Sequence, residues 1–155
     1  RQHEDRTALS ASAMRGSVLF FSGRRARCSG CHRGLNLDGG SKTADSPADE
    51  VPVFQFHNTG LYNLSGPLSY PANDTGLHKK TGRLEHDGQF RIPTLRNIAL
   101  TAPYMHDGSL ATLDAVLDHY VTGGRTENPR RSSAIRPLTL TADDRRDLGS
   151  RFSRA

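Results

Sequence analysis

Residues 28 to 34 read CSGCHRG, and this stretch holds both cysteines of a 155-residue chain. Cys28 and Cys31 are three apart, so one helical turn can present both sulfurs to a single edge of a ligand. His32 follows directly and turns its imidazole toward that ligand's centre. A porphyrin with two vinyl groups needs this arrangement, with two thioether bonds along one edge and one nitrogen for the iron. C-x-x-C-H is the attachment signature of c-type haem.

Other uses of these residues fit less well. A structural zinc site takes four ligands, and no second CxxC or paired histidine is present. A redox dithiol of the thioredoxin kind needs a βαβ setting, which the sequence does not show. A plain disulfide leaves His32 without a role. Apolar residues make up 34% of the chain and tryptophan is absent, a low content for a globular protein. Such a chain gains from a large apolar cofactor at its centre. The expectation is therefore one covalent haem c in a single domain spanning residues 1–155.

The net charge is +5, which favours an acidic partner surface. The basic residues form only short clusters, such as GRRAR and RTENPRR, without interleaved aromatics. This argues for a solvated surface and against nucleic acid. No run approaches the roughly 20 apolar residues of a transmembrane helix. The chain starts with Arg1 and shows no signal peptide, as expected of a processed product or a piece of something longer. Haem is attached on the extracytoplasmic side, so the expected location is a bacterial periplasm.

Three helices are readable. In LSASAMRGSVLFFSG, Leu9, Ala13, Gly16 and Phe20 form one stripe, with Gly16 open to close approach by another helix. ATLDAVLDHYVTGG places Leu113, Val116, Leu117, Tyr120 and Val121 on one face, with Thr112 as N-cap and Gly123-Gly124 as the stop. LTADDRRDL opens with a capping box of Thr141 and Asp144. The tail beyond it, RRDLGSRFSRA, lacks the apolar spacing of a terminal helix that packs on the first. Residues 33 to 91 show no period and read as one long cofactor-wrapping loop. The expected fold class is all-α, with cytochrome c-like helices around the haem and long loops between them.

His32 serves one face of the iron, and the other takes Met, His or Tyr or stays open. Met14 belongs to the first helix and reads as packing. Met105 lies in TAPYMHDGS, where Pro103 and Asp107-Gly108 build a sharply turning loop. Its thioether favours ferrous iron and electron transfer. Tyr104 would favour ferric iron instead, and His106 completes a run of three possible ligands. His57, His78, His86 and His119 read as surface or helix-face histidines.

FHNTGLYNL (56–64), FRIPTLRNIALTAPYMHDGSLATLDAVLDHY (90–120) and CSGCH together resemble the di-haem cytochrome c peroxidase and MauG superfamily, in particular its carboxy-terminal haem domain. YPANDTG suits the MauG-like branch equally, and the likeness runs from Met14 to Leu148. The resemblance implies cytochrome c-like helices around each haem, with this haem as the electron-transfer centre. It maps the axial ligands onto His32 and Met105, with Tyr104 as the MauG-type alternative; Arg96 either pairs with a haem propionate or caps a carbonyl at the surface. It also implies a second, peroxide-reactive haem on another domain or chain, a calcium ion between the two, and a periplasmic electron donor or acceptor protein. Only one CxxCH is present here, so peroxide turnover is not assigned to these residues alone. The alternative is a free-standing monohaem electron carrier.

Overall fold

A computed structural model describes residues 9–40 and 53–152. Part of the predicted 33–91 loop and the last residues of the tail lie outside them. Four helices, α1 (Ala11–Phe21), α2 (His78–Thr81), α3 (Leu113–Thr122) and α4 (Ala142–Phe152), are joined by irregular chain. Two three-residue strands, β1 (Phe56–Asn58) and β2 (Gln89–Arg91), pair antiparallel, with His57 opposite Phe90. The all-α expectation is amended by this sheet. Three residues are too few to show an alternation, and the partner strand lies some thirty positions away, so no local pattern marks it.

The three expected helices form; α3 and α4 carry the expected caps, and α1 adds one at Ser10 that the sequence reading did not name. The Ser10 hydroxyl accepts from Ala13 N and the Thr112 hydroxyl from Ala115 N, both at 3.1 Å. Gly123 ends α3 in the left-handed conformation, with φ 78°. The capping box of α4 is complete: Thr141 N donates to the Asp144 carboxylate at 2.8 Å, and Asp144 N to the Thr141 hydroxyl at 3.1 Å. Each cap satisfies amides that the first helical turn leaves without partners.

The tail departs from its reading, because α4 does pack on α1. A Cβ on Gly16 would run into the backbone carbonyl of Asp147, so the two helices approach backbone to backbone. Charge and hydroxyl groups supply most of the pairing that apolar spacing did not. Arg15 grips the Asp147 carboxylate with two bonds of 2.8 and 2.9 Å, and Ser12 adds a third at 2.6 Å. Arg25 pairs with Asp144, and the Arg151 guanidinium lies 4.5 Å over the Phe20 ring. Beneath this polar seam, Leu19, Phe20, Leu148 and Phe152 join Ala26, Leu95 and Leu117 in the core. Phe20 meets Phe152 edge-on at 6.1 Å.

The chain from 53 to 91 is ordered around buried polar side chains instead. Asp87, fully buried, accepts from the amide and hydroxyl of Ser69, both at 2.6 Å. Buried Asn58 donates to the Asp87 carbonyl at 2.9 Å and accepts from Tyr70 at 3.1 Å. Asn128 ties Ser69 and the Tyr62 carbonyl to the segment after α3. Hydrogen bonds among buried side chains specify a loop as firmly as apolar packing does. Among the described residues, no helix is long and apolar enough to cross a membrane.

Two outcomes test this packing. Gly16→Leu should lower the thermal midpoint, at an overpacking cost of about 1–3 kcal/mol, because the obstacle is backbone that cannot move aside. The Asp144 and Asp147 carboxyls are held below the usual range, the first chiefly by the Thr141 amide and the second chiefly by Arg15. Their contribution is full above the unfolded value of about 4 and is lost as pH falls through the lower folded values. Denaturant midpoints should therefore drop on acidification below that value, and drop less in Asp147→Asn.

Candidate functional site

The haem-attachment motif sits on a single 3-10 turn, Cys28–Gly30, entered through Arg27 in the left-handed conformation. Cys31 N and His32 N both donate to the Cys28 carbonyl, at 3.2 and 2.9 Å. This tight turn brings Cys28, Cys31 and His32 onto the wall of one cavity of about 580 Å³, a size usual for small-molecule and cofactor sites. The rest of the wall is mostly apolar. Phe20, Leu148 and Phe152 come from the α1–α4 pair, and Leu113, Val116, Leu117 and Tyr120 come from the expected face of α3.

Both cysteines are free thiols. Burial pushes the Cys28 thiol up to about 11 and raises Cys31 as well, so both are protonated at neutral pH. His32 Nδ1 lies 3.0 Å from the Leu37 carbonyl. A carbonyl only accepts, so Nδ1 carries the proton and Nε2 keeps its lone pair. Burial lowers the His32 pKa against the opposing pull of the Leu37 and Pro93 carbonyls, which keeps the ring neutral and fit to ligate a metal. Among the described residues, no three His, Cys, Asp or Glu side chains gather as a metal site.

Met105 reaches the same cavity from the loop after β2. Tyr104 and Leu110 close the loop with reciprocal amide bonds of 2.7 and 3.3 Å. At its tip Met105 has a φ of 71°, a conformation costly for a residue with a side chain and typical of functional positions. Tyr104 also lines the cavity, but its hydroxyl donates to the Ile98 carbonyl at 3.0 Å. His106 stacks on Phe90 at 3.7 Å and faces Asp74 at the same separation.

Arg96 is placed differently from the other expected site residues. It is absent from the cavity wall, and its guanidinium donates to the Leu35 carbonyl at 2.8 Å. Thr94 bonds the neighbouring Asn36 carbonyl. Together they brace the loop that carries Leu37, and through it the His32 ring. The arginines on the wall are Arg27, Arg91 and Arg136; the sequence reading took Arg27, in GRRAR, as solvated surface and gave Arg91 and Arg136 no role. Arg91 lies within the quoted FRIPTLRN stretch and Arg27 adjoins the first cysteine, but neither position says which way a side chain points.

No known family model matches the chain. The cytochrome-c peroxidase IdrP1 of Denitromonas iodatirespirans is 34% identical over 157 residues, covering 95% of this chain and 41% of the relative. The methylamine utilization protein MauG of Methylorubrum extorquens is 34% identical over 147 residues, covering 93% of this chain and 34% of the relative. The chain thus spans between a third and about two fifths of these relatives. A solved MauG-like protein associated with microbial copper homeostasis superposes with a TM-score of 0.83 at 40% identity, covering 94% of this chain and 43% of that one. The diheme peroxidase BthA of Burkholderia thailandensis shares the fold, with a TM-score of 0.62 at 22% identity over 93% of this chain and 42% of its own. Similarity of sequence and backbone along more than nine tenths of its length leaves one conclusion: the chain belongs to the di-haem cytochrome c peroxidase and MauG superfamily.

Proposed function

We propose that this chain is a c-type haem domain of the carboxy-terminal, electron-transfer kind. It would pass electrons to or from a peroxide-reactive haem on another domain or chain, in the periplasm. The observation that carries the reading is the convergence of Cys28, Cys31, His32 and Met105 on one largely apolar cavity.

The residues present fit a covalently held haem, whose bound iron supplies a one-electron couple. Cys28 and Cys31 offer reduced thiols for two thioether bonds. His32 offers Nε2, its ring held by the Leu37 carbonyl. Met105 would offer the iron a soft sulfur, which would raise the reduction potential. Tyr104 keeps its phenol bonded to the Ile98 carbonyl, which favours Met105 as the distal ligand. Arg91 and Arg136 line the cavity and would supply countercharge to carboxylates of the cofactor, one of the two roles expected of Arg96. The apolar wall excludes water and so strengthens each of these interactions.

Calcium was expected at an interface with a second haem domain. No described cluster of acidic side chains provides it a site within this chain. The alternative reading, a free-standing monohaem carrier, rests on the single CxxCH of the chain. Large apolar side chains left on the surface, Val18 and Leu100 among them, favour a covered partner face instead.

Visible and near-infrared spectra of the haem-loaded ferric protein test the ligation. The weak long-wavelength sulfur-to-iron band should be present and should vanish in Met105→Ala, with a fall in reduction potential. If that band is missing and Tyr104→Phe alters the spectrum, a tyrosine-ligated MauG-type centre replaces this assignment. Cys28→Ala with Cys31→Ala should release haem into acidified organic solvent, whereas the native chain retains it.

A further inference from the structure

Leu37, whose carbonyl holds the His32 ring, has a φ of 53°. A side chain crowds the backbone in this left-handed region, so the conformation persists only where the surroundings impose it. Part of the hold is on the Leu37 side chain, which packs partly buried against the core that contains Phe20. Two bonds inside the loop shape the turn without tying it to another segment. Leu37 N donates to the Gly34 carbonyl and Gly39 N to the Arg33 carbonyl, both at 3.2 Å.

A tie comes from the stretch after β2. The Thr94 hydroxyl donates to the Asn36 carbonyl at 2.5 Å, and the Arg96 guanidinium to the Leu35 carbonyl at 2.8 Å. Arg96 N donates back to the Thr94 hydroxyl at 3.1 Å, so the two side chains act as one clamp. They grip the two carbonyls that precede Leu37. Peptide units are planar, so fixing two in succession leaves the next little freedom to turn. The Leu37 carbonyl therefore stays aimed at His32 Nδ1, 3.0 Å away. The Pro93 carbonyl, from the same stretch, draws on the ring as well.

This hold has an electronic consequence. An imidazole that donates Nδ1–H to a fixed carbonyl becomes a more basic ligand through Nε2. A more basic nitrogen favours ferric over ferrous iron, which lowers the reduction potential. We propose that Thr94 and Arg96 are positioning residues that set the reduction potential of this domain, by holding the strained Leu37 carbonyl against His32. The proposal rests on the haem reading above. The clamp acts against Met105, whose sulfur pulls the potential the other way. Without the clamp, Leu37 relaxes to a negative φ, its carbonyl leaves Nδ1, and the potential rises.

Both residues are exposed, so they can be changed without opening the core. Redox titration of the haem-loaded protein should show the midpoint shifted upward in Arg96→Met and in Thr94→Val, which remove the donors. Arg96→Lys and Thr94→Ser keep a donor and should restore the native midpoint. Proton magnetic resonance of the ferrous protein reads the same bond directly. The His32 Nδ1 proton should exchange with deuterated solvent several-fold faster in Arg96→Met and Thr94→Val than in the native chain. Arg83→Gln, an exposed arginine paired with Glu85, should change neither reading. Unmoved midpoint and exchange in Arg96→Met and Thr94→Val overturn the proposal, even where the thermal midpoint falls, because the clamp is then only structural. An equal shift in Arg83→Gln overturns it too. Haem absorbance of the same samples separates two failures. Variants that hold covalent haem at the native midpoint overturn the clamp alone, and a native chain that takes up no haem overturns the functional reading beneath it.

Discussion

Gly16 has no side chain, and the missing atoms let α1 lie against the Asp147 carbonyl of α4. Much of the architecture depends on that contact. It sets Phe20, Leu148 and Phe152 side by side as the back wall of the cavity. It also fixes the end of α1, from which the chain turns through Ser22 and Arg27 into the Cys28 turn. Held further apart, the helices would lose the Arg15 and Ser12 bonds to Asp147 along with the apolar layer below them. A chain with few apolar residues thereby concentrates them where they serve core and cavity together.

The opposite side of the site is held by other means. No helix or sheet of useful length spans residues 53 to 91, yet His57, Thr59 and Phe90 all reach the cavity. Asp87, Ser69, Asn58 and Asn128 bond to one another and to the backbone inside this region. They turn an irregular path into a definite one. Gly88, with a φ of 71°, allows the Tyr70 ring to lie over the chain where a Cβ would collide. The result is a rigid support for aromatic side chains that helical periodicity would not have placed.

Family membership and residue roles rest on different grounds. The likeness to peroxidases and MauG proteins follows from identity along the chain, whereas each role follows from what a side chain touches. Arg96 shows the difference. It belongs to the quoted PTLRN motif, yet it binds the Leu35 carbonyl and steadies the loop behind His32. Arg91, from the same quoted stretch, and Arg136, from outside it, reach the wall. A shared motif can therefore preserve a brace as readily as a ligand contact.

The sequence by itself determined the local features. The Cys28–Cys31–His32 spacing, the caps at Thr112 and Thr141, the α3 face and the Met105 loop are all relations among neighbours, set by one turn of backbone and its hydrogen bonds. Tertiary structure decided which distant residues meet. It paired β1 with β2, seated α4 on α1 through charges rather than an apolar stripe, turned Arg96 away from the cavity, and gathered Tyr62, Tyr70, Phe90 and His106. Such meetings depend on loop closure and on the burial of polar groups with partners far along the chain. No periodicity within a short window carries that information.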